Sequence, residues 1–176
     1  CRAIYSTEQQ YNNLKILREL QLSVFSEKIS ESTDPLLKNQ NWENMKSVED
    51  GIGVIEYINI NPFGVAFDLP SESKIFVDRN NSPIDIGGWG IFTKKDKDVD
   101  SVYVFIDGKV NSKAHYGYLN PHHEIYGEKD EPPNFAGIGG VVVLDELTMG
   151  CHAISIRIVD DLDYYVINTD SQICLK

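Results

Sequence analysis

The chain has little basic charge: 16 Lys and Arg stand against 27 Asp and Glu, for a net charge of −11. Neutralising a phosphate backbone needs clustered Lys and Arg, so nucleic acid is excluded as a partner. The same deficit argues against adsorption to an anionic membrane surface. No apolar run is long enough to cross a bilayer, which takes about 18 or more residues. There are only 3 cysteines, at positions 1, 151 and 174, and none forms a C-x-x-C pair, so a zinc ribbon or thioredoxin-like site is not indicated. Also missing are a G-x-S-x-G elbow, an H-E-x-x-H helix motif and an internal repeat. Asp and Glu are plentiful, but nothing singles out a glycosidase-like pair.

What is present changes character near residue 51. Residues 6–31, STEQQYNNLKILRELQLSVFSEKISE, lack Gly and Pro and open with a Ser6/Gln9 capping box. Tyr11, Leu14, Leu17 and Phe25 recur at helical spacing. This predicts an N-terminal helix, ended by Asp34-Pro35 and followed by an irregular connector, so residues 1–50 form one unit. From 51 to 176 the chain reads as short runs rich in Val, Ile, Tyr and Phe: GVIEYINI, IDIGGWGIF, SVYVFIDG, KAHYGYL, CHAISIRIVD and YYVINT among them. Turn residues such as Asn61-Pro62, Asp107-Gly108 and Pro132-Pro133-Asn134 separate these runs. Such punctuation without helical patterning predicts a mainly β fold, a β-sandwich. In AISIRIVD, alternation places Ile154, Ile156 and Ile158 on one face and Ser155 and Arg157 on the other.

The order of motifs over roughly residues 53–160 adds a resemblance. Gly53-Val54-Ile55-Glu56-Tyr57-Ile58-Asn59 precedes Gly88-Trp89-Gly90 and the Asp107-Gly108-Lys109 hairpin. Tyr116-Gly117 then leads into Asn120-Pro121, followed by Tyr126, Phe135-Ala136-Gly137 and a Leu147-to-Ile154 run containing Gly150 and His152. The series resembles a bacterial Ig-like extracytoplasmic domain, of the kind found at the C-terminus of polytopic membrane proteins and in surface proteins. The resemblance implies an Ig-like sandwich outside the cytoplasm and supplies no catalytic residue. Two departures stand out: Asn120-Pro121-His122 replaces the usual Arg-Pro-Asp, and Cys151 precedes His152. A ligand contact made through that Arg in relatives therefore does not carry over.

Candidate sites follow. Tyr118 and Tyr126 flank the Asn120-Pro121 corner with His122 and His123, and this cluster is the expected binding surface for protein or glycan. A zinc set of His115, His122 and Glu124 is conceivable chemically but lacks an ordered ligand ladder. Trp42, Trp89 and Tyr116 are further aromatic candidates, with Trp89 expected in the core. Asp96, Asp98 and Asp100 have the alternate spacing with which a loop wraps Ca²⁺, the one cofactor considered. Against calcium, Ser101 stands where an EF-hand needs Gly, and Lys94, Lys95 and Lys97 weaken the local field; a solvated hairpin tip is the alternative. Gly137-Ile138-Gly139-Gly140 reads as close strand approach, not a phosphate loop.

Cys151 and Cys174 lie in two apolar runs that fit neighbouring strands, as a disulfide or as buried free thiols. Cys1 suggests either lipidation after signal cleavage or a domain that follows a membrane segment. The expected function is therefore a non-catalytic accessory or binding module of the cell envelope, membrane-anchored at or before residue 1. The alternative is the outer domain of a membrane glycosyltransferase-like enzyme with its chemistry elsewhere. A metal-dependent hydrolase using His115, His122 and His123 is a third reading.

Overall fold

Short alternating runs can bury their apolar side chains only against another sheet surface, and here one sheet curls to supply it. The computed structural model describes residues 34–37, 42–60, 67–68, 74–118 and 135–176. The structure is mainly β. The strands are β1 Lys46–Ser47, β2 Gly51–Asn59, β3 Phe67–Asp68, β4 Lys74–Val77 and β5 Ile84–Phe92. β6 Ser101–Ile106, β7 Lys109–Tyr118, β8 Gly137–Val142, β9 Gly150–Asp160 and β10 Asp163–Leu175 complete them. They form one sheet in the order β1-β10-β9-β6-β7-β8-β5-β2-β3, with β4 also paired to β10. Neighbours are antiparallel except β1 and β4, which run parallel to β10. The predicted helix over 6–31 lies outside the described residues.

The curl turns on β7. Its first part, Lys109–Ala114, pairs with β6, and His115, Tyr116 and Tyr118 pair with β8. One half of the sheet is thereby folded over the other, and β10 comes to face β2 and β5. Ile167 of β10 presses so close that a Cβ added at Gly53 or Gly90 would stand 2.6 or 2.5 Å from its Cδ1 atom. Between the halves lies a single core that includes Ile55, Ile58, Ile86, Phe92, Val104 and Ile158. Ile154, Ile156 and Ile158 all point into it, as the alternation of β9 requires. Each aliphatic buried this completely contributes about 1.5–3 kcal/mol.

The outer face of β6-β9-β10 is covered by the connector, which belongs to the sheet's packing. Leu37 is buried with Tyr103, Phe105 and Val159, and Leu36, Trp42 and Met45 pack around them. Asp34 accepts hydrogen bonds from Tyr103 Oη and Lys113 Nζ, both 2.8 Å. Burial opposes its charge, yet these bonds hold the Asp34 carboxyl below its ordinary 3.8. Trp42 donates Nε1–H to Leu36 O at 2.7 Å and lies edge-on to Phe105 and Tyr103. The Arg157 guanidinium sits 3.8 Å from the Phe105 centroid, 4.7 Å from Tyr164 and 5.0 Å from Trp42. Its Nε is buried and has no hydrogen-bond partner among the described residues. The aromatic faces therefore carry the compensation for that charge.

Trp42→Ala should lower stability in urea by about 2 kcal/mol, less than a fully buried Trp because this one is half-buried. Trp42→Phe should recover most of the loss. An unchanged unfolding midpoint for Trp42→Ala would show that the connector contributes nothing to the fold.

Candidate functional site

On the other half, the register stacks unlike residues into rows. Tyr57 of β2, Gly87 of β5, Gly139 of β8 and His115 of β7 stand directly side by side across the sheet. The next row on the same face is Val54, Trp89, Gly137 and Tyr118. Two irregularities make these rows. A register shift between Ile55 and Tyr57 turns Tyr57 outward while Ile55 and Ile58 both remain in the core. A second shift between Tyr116 and Tyr118, with Gly117 at φ +110, turns His115 and Tyr118 outward and leaves Tyr116 on the core. Only glycine adopts that φ without strain.

Both tyrosine rings lie down on glycines. The phenol end of Tyr57 covers Gly87: a Cβ there would stand 2.6 Å from its Cε1 atom. Tyr118 starts over Gly137 and runs over Gly139, whose added Cβ would stand 2.8 Å from ring atom Cε2. Gly87 and Gly139 are paired on adjacent strands, about 4.8 Å apart. Both side chains thus cover backbone on adjacent strands, a tyrosine plate over glycine. His115 meets Tyr118 edge-on at 6.5 Å. Tyr118 is 44% exposed. Burial first, then the charges of Asp85, Tyr118 and Glu56, push the Tyr57 hydroxyl above its ordinary 10.0.

The other predicted residues are distributed as follows. Asn120, His122, His123 and Tyr126 lie outside the described residues, as does Cys1; of the expected binding cluster, Tyr118 is the member the structure describes. Its described companions are Tyr57 and His115, not the Asn-Pro corner. Trp89 is buried at 5% exposure and offers no stacking surface. Tyr116 is half-buried against the core, and burial with the charge of Asp98 pushes its hydroxyl up to about 12. Trp42 is on the opposite outer face, in the arginine cage.

Asp96, Asp98 and Asp100 follow β5, where Asp100 Oδ2 accepts the Asp161 backbone N–H at 3.0 Å. Lys97 turns away from them to Asp50 and Asp163, at 3.0 and 2.7 Å. Among the described residues, no group of three or more His, Cys, Asp and Glu is placed to hold a metal. Cys151 and Cys174 are opposite each other on β9 and β10 and joined by a disulfide, S–S 2.03 Å.

His152 is buried between two acceptors. Its Nδ1 is 2.6 Å from Asp107 Oδ2 and its Nε2 2.9 Å from Thr148 O. Only the imidazolium has an N–H for each. Asp107 Oδ1 also accepts the Ala153 N–H at 2.9 Å, so the Asp-Gly hairpin turn is tied to β9. The pair is structural, with no second reactive group beside it in the described contacts. No protein-family model matches the chain, and no curated protein matches it either.

The Asp107 hydrogen bond raises the His152 pKa above its ordinary 6.5, against burial. The His152 hydrogen bond lowers the Asp107 pKa below 3.8, again against burial. Stability from the raised His is complete below pH 6.5 and is lost as pH rises through its folded pKa. Stability from the lowered Asp is complete above pH 3.8 and is lost as pH falls through its folded pKa. Urea midpoints should therefore fall on the alkaline side of about pH 6.5, and His152→Gln should flatten that limb. An identical alkaline limb in His152→Gln would show that this pair does not set it.

Proposed function

We propose that this chain is a non-catalytic accessory module working outside the cytoplasm that contacts protein or glycan through the outer face of β2-β5-β8-β7. The observation that carries the reading is the plate of Tyr57 and Tyr118 on Gly87 and Gly139. Two register shifts and a positive-φ glycine turn those rings outward while Ile55, Ile58 and Tyr116 stay on the core. The fold assigned to the module is an Ig-like β-sandwich preceded by a helix over 6–31. Facing halves around one core and the motif series from Gly53 to Ile154 support that assignment. The Cys151–Cys174 disulfide supports the location, because such bonds persist in oxidising compartments.

Two measurements test this. A photo-crosslinking residue at position 118, in cells that naturally make the protein, should give adducts that the same residue at position 162 does not. Absence of adducts specific to 118 would reject the contact face. Thiols trapped in acid from the same cells should show Cys151 and Cys174 unreactive toward a maleimide until reduced. Reactive thiols at both would reject the extracytoplasmic reading. Replacing both cysteines by serine should cost about 3 kcal/mol in non-reducing urea, given the separation of 23 residues.

A further inference from the structure

The two sulfurs of the Cys151–Cys174 disulfide stand in unequal surroundings. β9 and β10 set the two residues directly opposite each other. Their side chains are on the outer face, because Ile173, next to Cys174, points into the core. On its side away from β9, Cys174 has Phe76 of β4 as its paired neighbour, and it is only 2% exposed. Cys151 is exposed, and on its side away from β10 no strand is paired with it among the described residues. The pairing of β6 with β9 ends at Ile106 and Ile154, short of that point.

Thiol–disulfide exchange is a displacement in which the thiolate enters opposite the sulfur that leaves, and access decides which sulfur is attacked. Entry at Cys174 is obstructed by β4, whereas no strand obstructs entry at Cys151. The departing sulfur is then that of Cys174, and a cation lies on its side of the bond. Lys176 donates its backbone N–H to Val77 O at 3.2 Å and holds its ammonium 4.6 Å from the Phe76 ring centroid. A neighbouring ammonium favours a thiolate over a thiol.

We infer that this disulfide is an exchange site for a dithiol, attacked at Cys151 and released at Cys174. The dithiol's first thiolate bonds to Cys151 Sγ as the Cys151–Cys174 bond breaks, and Cys174 leaves as a thiolate that takes a proton. The dithiol's second thiolate then attacks its own partner sulfur, and Cys151 leaves and is protonated in turn. Two electrons and two protons pass to the chain, and the dithiol becomes a disulfide. Reduction removes the covalent link between β9 and the segment Gln172–Leu175. β4, whose strand partner among the described residues is that segment, is then held by its ladder and by Val77, Ile173 and Leu175 in the core. The bond is thus a redox-controlled fastening of β4 and the end of β10. Nothing in this chemistry depends on the tyrosine plate.

Two variants separate the sulfurs. In native buffer, the Cys151 thiol of Cys174→Ser should react with Ellman's reagent at least about 100-fold faster than the Cys174 thiol of Cys151→Ser. Cys1 is blocked beforehand in a variant and in the oxidised chain by N-ethylmaleimide. The oxidised chain is then mixed with a C-x-x-C reductase whose second cysteine is replaced by serine. After acid quenching, peptide mass mapping should find the adduct on Cys151 and a free thiol at Cys174. Should either serine variant fail to fold, this mapping decides alone. Trp42→Ala should leave the native rate of reduction by dithiothreitol unchanged within about twofold. Equal reactivity of the two thiols, an adduct chiefly on Cys174, or no adduct at all overturns the assignment. So does a rise approaching about 30-fold in Trp42→Ala, the factor its destabilisation implies, because reduction would then wait for global unfolding.

Discussion

The close contact of Ile167 with Gly53 and Gly90 is the constraint on which the rest of the molecule depends. A single sheet has two faces, and curling it buries the inner one. For β10 to reach β2 and β5, those strands must lack side chains where Ile167 arrives. The change of partner in β7, from β6 to β8, then lets one strand serve both halves. These features give one core shared by nearly every strand, with the hydrogen-bond ladder continuous around it. A larger residue at Gly53 or Gly90 would force the halves apart and weaken all of that core together.

Closure leaves two outer faces, and the chain treats them differently. Over β6-β9-β10 it lays its own connector, and there the burial of Arg157 among Phe105, Tyr164 and Trp42 replaces water with aromatic faces. Asp34 fastens that segment through Tyr103 and Lys113. Over β2-β5-β8-β7, aromatic rings lie on glycine instead. Glycine in a strand is unfavourable by itself, because it loses backbone freedom and packs nothing. Rings laid across Gly87 and Gly139 restore the missing apolar cover.

Much of this was legible in the sequence, and the limits have physical causes. Period-two alternation locates the buried side of β9 because a strand's side chains must alternate, and Asp107-Gly108 announces a turn whose two residues take φ of 49 and 75. The run Gly137-Ile138-Gly139-Gly140 signals close approach, but not what approaches. Tyr118 arrives over it from β7, and that depends on register. Tyr57 is missed for the same reason. Within GVIEYIN, strict alternation would send Glu56 and Tyr57 to opposite faces, and a shift of one residue, invisible in composition, decides that Tyr57 faces outward. The connector reads as irregular because Leu37 and Trp42 show no periodicity. Their role exists only against Tyr103 and Phe105, far away in sequence.

The contrast between the faces also bears on which of them suits the proposed contact. At the cage, a cation and the rings around it already satisfy one another, and a ligand would have to displace Trp42, together with the packing of Leu36 and Met45, to reach them. At the plate, each tyrosine covers glycine backbone, and the Tyr118 ring is 44% exposed. Binding there removes water from an aromatic face without breaking an existing interaction of that ring with the glycine floor. Because the floor is backbone in a paired ladder, the rings lie on a rigid base and little ordering is needed when a ligand arrives.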